Sequence, residues 1–340
     1  MKNTIDYLVD LLSIPSPTGN TKAVMEYVHN ELIALGLTPS FTNKKALVLT
    51  LPGKDSSKGI CLSAHVDTLG AMVRSVKENG RLRLTQIGGY NWETVEGQEV
   101  YVETHEGKKY TGTILIDTAS KHIFSAAEES ARNDLHMELR LDEVVKNPED
   151  VKALGICAGD YVCYIPEVQV TESGFIKSRH LDDKACVAAL LTIAGKLKDT
   201  ELPYDIHFFI SNYEEVGHGS SAGVPENTIT MLALDMACVG DDLNGDEQKC
   251  TICAKDSSGP YDYDVKNHLI DLARKHQIPY TVDIYPYYGS DASAAQRAGG
   301  NFKAGLIGPG VDASHNKERT HSDAIQATVD LAILFAKNPL

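Results

Sequence analysis

The chain has 340 residues, 42% hydrophobic and 23% charged, the balance of an ordinary globular protein and length enough for one large domain or two. Its formal net charge of −15 argues against nucleic acid or an anionic membrane surface as a partner, since both need a basic footprint. No apolar run approaches the roughly 18 residues that span a bilayer, and seven cysteines scattered along the chain read as reduced thiols in a cytoplasmic protein.

At the N-terminus, Ile5, Leu8, Val9 and Leu12 recur at helical spacing with Asp6 and Asp10 between them, an amphipathic helix and no secretory signal. Pro15 to Gly19 is a turn cluster. Thr21 then opens a second amphipathic helix, with Val24, Tyr27, Val28, Leu32 and Leu35 inward and Gly36 closing it. Ala46 to Leu51 and Ile60 to Ala64 are expected strands. From about Ala71 to Val168 short alternating runs, such as Arg81 to Thr85 and Glu99 to Glu103, are separated by Asn79-Gly80, Gly88-Gly89 and Glu106-Gly107. This period-two pattern predicts hairpins forming a small β-barrel, with one short helix near Asp142 to Asn147 or just beyond. The barrel, residues 71–168, is expected as an insert in a larger domain made of residues 1–70 and 169–340.

In the second half helix and strand alternate again. A helix from Ala185 to Leu197, strands at Ile206 to Ile210 and Ile229 to Leu234, and a helix carrying Val265, Leu269 and Leu272 are followed by a strand at Tyr280 to Tyr285. A short helix from Ser290, a strand at Ala304 to Ile307 and a closing helix from Ala324 to Phe335 complete the chain. The expected fold is α/β, a sheet sandwiched between helix layers. Cys250 and Cys253, the single C-x-x-C, read as two buried strand thiols.

Four strands run into metal-binding side chains. Ile60 to Ala64 leads into His65-Val66-Asp67, Ile206 to Ile210 into Glu214-Glu215, Ile229 to Leu234 into Asp235, and Ala304 to Ile307 into a loop with His315. In open α/β sheets, ligand sites lie beyond the carboxyl ends of the strands. Asp182 and Asp183 stand just before the 185–197 helix, where acids ordinarily cap the helix. With His65, Glu215, Asp235 and a late histidine they supply the nitrogen and oxygen donors of two zinc-like ions sharing a carboxylate. In that scheme Asp67 accepts the second imidazole N–H of His65 and orients the ring, and Glu214 is the general base that deprotonates a water and later protonates the leaving amine.

His65-Val66-Asp67, Leu181-Asp182-Asp183-Lys184, Glu214-Glu215-Val216-Gly217, Leu234-Asp235 and the His315 region resemble, in order and spacing, the co-catalytic zinc aminopeptidases of the glutamyl and deblocking family, the tetrahedral (TET) aminopeptidases. The resemblance implies that His65, Asp182 as bridge, Glu215, Asp235 and His315 are metal ligands, with Glu214 as base and Asp67 behind His65. It also implies two divalent ions, zinc or cobalt, short peptides as substrates, and a large homo-oligomer, a dodecamer in such families, in which the insert serves subunit contact and substrate access. His321, with its Ser322 neighbour, is the alternative to His315, and Asp183 the alternative bridge. Ser290 and Asp291 are expected near the substrate, unless Asp291 is a helix cap, and Arg179 and His180 offer an anion-binding group or partners for the surrounding acids. Alternatives on the same ligand set are a carboxypeptidase, a dipeptidase or an N-acyl amidohydrolase. A non-catalytic peptide-binding or assembly protein is a further alternative.

Overall fold

Asn3 opens α1 (Thr4–Ser13) with a reciprocal cap: its side chain accepts the Asp6 amide while the Asp6 carboxylate accepts the Asn3 amide. The computed structural model describes residues 2–125 and 129–340. After α1 come α2 (Lys22–Ala34), β1 (Ser40–Phe41), β2 (Leu47–Leu51) and β3 (Asp55–His65). Next are β4 (Gly70–Val76), β5 (Leu82–Ile87), β6 (Glu99–Glu103), β7 (Lys109–Ile116), β8 (Met137–Leu141), α3 (Pro148–Ala153) and β9 (Tyr161–Tyr164). They are followed by β10 (Gln169–Val170), β11 (Phe175–Ser178), α4 (Leu181–Leu197), β12 (Tyr204–Ser211), β13 (Thr228–Leu234), β14 (Ala237–Cys238), β15 (Cys250–Asp256) and β16 (Gly259–Pro260). The chain ends with α5 (Tyr263–His276), β17 (Tyr280–Ile284), α6 (Asp291–Arg297), β18 (Lys303–Val311), β19 (Glu318–His321) and α7 (Ser322–Lys337). It divides into two units, residues 1–67 with 167–340, and residues 68–166.

The first unit is built on a ten-stranded mixed sheet in the order β1-β2-β12-β3-β13-β18-β15-β16, with β14 beside β18 and β17 beside β15. Within it β12, β3, β13 and β18 are parallel neighbours, so their carboxyl ends share one edge. Both faces of these strands are buried, which explains their near-continuous apolar sequences. Phe208 and Ile210 of β12 join the large core with α1, α2, α4, α5 and α7, whereas Phe209 faces the opposite cluster with Ala292 and Ala295 of α6. Cys250 and Cys253 are buried, unpaired thiols on β15.

Helix α4 is buried along nearly its whole length, as its apolar residues on every side require. Lys184 in its first turn is fully buried, and its ammonium donates to the carbonyls of Leu11 at 3.0 Å and Ile14 at 2.6 Å. Leu11 lies in the last turn of α1 and Ile14 is its C-cap, the end of the helix where the dipole favours a cation. A separate three-stranded sheet, β10-β11-β19, pairs Ser178 with Glu318. It draws together the segments that follow β11 and precede β19.

The second unit is a closed six-stranded barrel, β4-β5-β8-β7-β6-β9. Alternate residues point inward, among them Leu82 and Leu84, Val100 and Val102, Ile114 and Ile116, and Met137, Leu139 and Leu141. Buried Glu138 on β8 is satisfied by Arg81 at 2.7 Å and by Lys77. The helix of this unit begins after the Asp142 to Asn147 stretch: Asn147 is its N-cap, accepting the Asp150 amide, and Pro148 takes the first helical position, where a missing N–H costs nothing.

Truncating Phe208, buried at the centre of the sheet, removes packing on both flanking strands. Phe208→Ala is expected to destabilise the protein by about 3–5 kcal/mol, read as a lower unfolding midpoint in urea with near-unchanged far-UV circular dichroism at 20 °C.

Candidate metal centre

Strand β3 carries His65 at its last position, and β12 and β13 end just before the Glu214-Glu215 turn and Asp235. Strand β18 leads into a loop in which His315 adopts a left-handed conformation at φ 62°. Asp182 arrives from the other direction, four residues after Ser178 of β11. The β11–β19 pairing is what makes these ends meet. Glu318 on β19 is buried, and one of its oxygens accepts the His315 amide at 3.0 Å while the other accepts the Asp182 amide at 3.2 Å. A single carboxylate thus ties the two backbones together.

Asp182 lies between the histidines. Its Oδ1 is 3.1 Å from His65 Nε2 and its Oδ2 is 3.1 Å from His315 Nε2. Asp235 joins His65 and Asp182 in one group with ligand atoms within 4.8 Å, and Glu215 joins Asp182 and His315 in a second. Asp182 is the member common to both. Glu214 Oε2 stands 3.7 Å from His65 Nε2, and Glu215 Oε2 stands 3.5 Å from His315 Nε2. The Asp182–Asp183 peptide is cis, and the regular helical backbone of α4 begins only after Asp183.

The geometry gives three of the sequence candidates partners of their own. His65 Nδ1 is 2.9 Å from the Asp67 backbone oxygen and 3.6 Å from its carboxylate Oδ1, so the backbone oxygen is the nearer acceptor. The carboxylate instead accepts the Glu214 and Glu215 amides at 3.1 and 3.3 Å and the Thr18 hydroxyl at 2.7 Å, so it shapes the two-glutamate turn. Asp183 lies outside both groups and accepts the His65 amide at 3.2 Å. His321 caps α7, with Nδ1 accepting the Asp323 amide and Nε2 2.8 Å from the Ser173 carbonyl.

The residues expected near the substrate serve the backbone. Ser290 caps α6 in a reciprocal pair with Ser293, and the buried Asp291 carboxylate accepts the Ser211 hydroxyl at 2.6 Å and the Ser220 amide at 2.8 Å. Arg179 reaches the Asn316 carbonyl at 3.3 Å, bracing the His315 loop. Glu318 was legible only as an acid following His315; its double role depends on a strand pairing that the sequence does not announce.

Crowded acids in a desolvated place resist ionisation. Burial pushes Glu215 up to about 8, against the pull of His315 and with repulsion from Asp182. Glu318 is likewise pushed up to about 8, by burial and then by Asp182. Glu214, Asp183 and Asp235 are raised well above the carboxylate range, burial being the largest cause in each. Asp182 goes the other way: burial opposes its charge, but hydrogen bonds from His315 and His65 hold it below the usual range. Burial also opposes the charge on His65, yet Asp182, Asp67 and Glu214 lift it well above an ordinary imidazole.

A parallel sheet edge bearing two imidazoles and several carboxylates around one shared aspartate, on a mixed α/β sheet, forms a candidate centre for divalent cations. The M42 glutamyl aminopeptidase family model matches residues 46–331, and the chain belongs to that family. YhfE of Bacillus subtilis (strain 168), itself an inferred aminopeptidase, is 48% identical over 100% of this chain and 99% of its own length. The glutamyl aminopeptidase of Lactococcus lactis subsp. cremoris (strain MG1363) is 26% identical over 89% of this chain and 87% of its own. Among solved structures, the Pyrococcus horikoshii TET1 peptidase, described as assembling into a tetrahedron or a large octahedral shell, superimposes with a TM-score of 0.87 at 22% identity, covering 98% of this chain and 99% of that one. That last likeness speaks to the fold.

Gly308 on β18 lets the sheet close on the site. A Cβ there would lie 1.5 Å from the Asp235 carbonyl oxygen, so any side chain must push Asp235 aside. Gly308→Ala is expected to lower kcat/KM on aminoacyl p-nitroanilides at least tenfold, a barrier change of about 1.4 kcal/mol, measured by initial rates.

Proposed function

We propose that this peptidase is a dinuclear metal-dependent aminopeptidase that releases N-terminal residues from short peptides. The single observation that carries this reading is the division of Asp182: one oxygen serves the group of His65 and Asp235, the other the group of Glu215 and His315. His65, Asp182 and Asp235 would hold one divalent ion, and Asp182, Glu215 and His315 the other. The donors, imidazole nitrogen and carboxylate oxygen, are those of zinc and cobalt. The fit is supported by Glu215 Oε1, a buried oxygen with no hydrogen-bond partner, and by a density of buried acid that calls for cationic charge. When bound, such ions acidify water and polarise a carbonyl.

The chain's own residues supply the rest. The Asp67 carboxylate, receiving both amides of the two-glutamate turn, holds Glu214 toward the cluster and aims Glu215 at His315. Glu214 takes a proton from the attacking water as its oxygen bonds to the scissile carbonyl carbon, then gives that proton to the amine nitrogen as the C–N bond breaks. Desolvation makes Glu214 a stronger base than an exposed carboxylate. The excess of carboxylates suits a free α-ammonium group and supports action at the N-terminus.

The same proposal includes a cytoplasmic homo-oligomer, with the dodecamer of the structural neighbour PhTET1-12s as its size and the barrel unit as its subunit contact. Exposed Ile123, Leu135 and Val144 on that unit support the contact role. Buried Cys61, Cys186, Cys250 and Cys253 form no disulfide, which supports a reducing compartment, and no described helix is long and apolar enough to cross a membrane.

Purified protein is expected to contain about two metal ions per chain by atomic emission and to lose aminopeptidase activity on chelation, regaining it with zinc or cobalt. Glu214→Gln should keep the metal while kcat falls about 10²–10⁴-fold; undiminished turnover would remove Glu214 from its role. The histidines separate cleanly as well. His315→Ala should lose about one metal per chain with its activity, whereas His321→Ala should keep both metals and cost about 0.5–2 kcal/mol of stability as a lost helix cap.

A further inference from the structure

Outside the sheet-edge cluster, one other set of side chains among the described residues brings a nitrogen, a sulfur and an oxygen together: His105, Cys157 and Asp160, with ligand atoms within 4.8 Å of one another. All three lie on the barrel unit, and the topology explains why they meet. Strand β6 pairs with β9 so that Glu103 faces Tyr161. The tight turn after β6 carries His105, and Asp160 immediately precedes β9.

Both turns are fixed by their own hydrogen bonds. Around His105, the Thr104 carbonyl accepts the Gly107 amide at 2.8 Å, and the Thr104 hydroxyl accepts the Lys108 amide at 3.2 Å. In the other, Gly159 takes the left-handed conformation at φ 95°, its amide donates to the Val73 carbonyl at 2.8 Å, and the Asp160 carbonyl accepts the Val73 amide at 2.9 Å. The buried Asp160 carboxylate uses Oδ2 to accept the Cys157 amide at 2.7 Å, which leaves Oδ1 facing the Cys157 sulfur at 3.6 Å. A cation seated there takes the place of the thiol proton.

We propose that His105, Cys157 and Asp160 form a second metal site, separate from the peptidase centre, for a borderline divalent transition ion such as zinc or cobalt. Sulfur and imidazole donors favour such ions over calcium or magnesium, which take sets of oxygen ligands. A thiolate and a carboxylate neutralise a divalent charge, and three protein ligands leave a fourth tetrahedral position for water or a further donor. Partial desolvation and then the Asp160 carboxylate push the Cys157 thiol above its ordinary range, so binding releases one proton, from Sγ to solvent, as the sulfur–metal bond forms.

The test is a cobalt titration of the full-length, chelator-stripped protein, followed by the near-ultraviolet cobalt–thiolate charge-transfer band. None of the sheet-edge ligands is a thiol, so the band reports a cysteine ligand. The expected result is one saturable equivalent of band intensity per chain, lost in Cys157→Ser and shifted to higher cobalt concentration in His105→Gln, with aminopeptidase rates of both variants unchanged. Absence of the band in the unsubstituted protein, or its persistence in Cys157→Ser, overturns the assignment. Circular dichroism of both variants should match that of the parent, which separates ligand loss from misfolding.

Discussion

Mutual repulsion among buried carboxylates is the constraint on which the first unit depends. Asp182, Asp183 and Asp235 are buried near His65, with buried Glu318 against Asp182 and His315, and two unit charges 4 Å apart oppose each other by about 4 kcal/mol even at an effective dielectric of 20. The fold meets this by giving neighbouring acids different work. Asp182 stays ionised between two imidazoles, Glu318 and Asp67 spend their oxygens on backbone amides, and Asp183 takes the His65 amide. What remains is the buried, unbonded Oε1 of Glu215 beside the Asp182 carboxylate, negative charge that positively charged ions would hold in place.

The large elements were legible because their signals are local. Apolar runs marked the buried strands, helical spacing marked α1 and α2, and period-two alternation with glycine turns marked the barrel. The ends of four strands pointed to a shared edge because parallel neighbours must present their carboxyl ends on the same side. The pairing of β11 with β19 had no such signal: each strand is only four residues long, too short for a pattern. Everything that depends on this pairing was therefore hidden, including the grip of Glu318 on both the Asp182 and His315 backbones. His315 and His321 looked alike in sequence, since both sit among acids and small polar residues before a helix. The structure separates them by the caps they make, because His321 spends both ring nitrogens on backbone groups.

Asp67 shows a second limit. A His-x-Asp pair suggests an imidazole bonded to a carboxylate, but at this spacing on a strand end the backbone oxygen is the nearer acceptor for His65. The carboxylate is then free to collect amides from the next strand's turn. Side-chain chemistry can be listed from a sequence, whereas competition between a side chain and its own backbone is settled only by local geometry.

Lys184 carries this logic back to the start of the chain. It lies two residues from Asp182, has no exposed surface, and reaches across to carbonyls at the end of α1. The N-terminal helix is therefore an electrostatic socket as well as a packing element. A chain begun after Ile14 would lack more than apolar cover: it would lose two of the carbonyls to which the buried Lys184 ammonium donates. Leu11 and Ile14 lie 173 and 170 positions before Lys184, so a charge on α4 and the end of α1 are secured by one and the same contact.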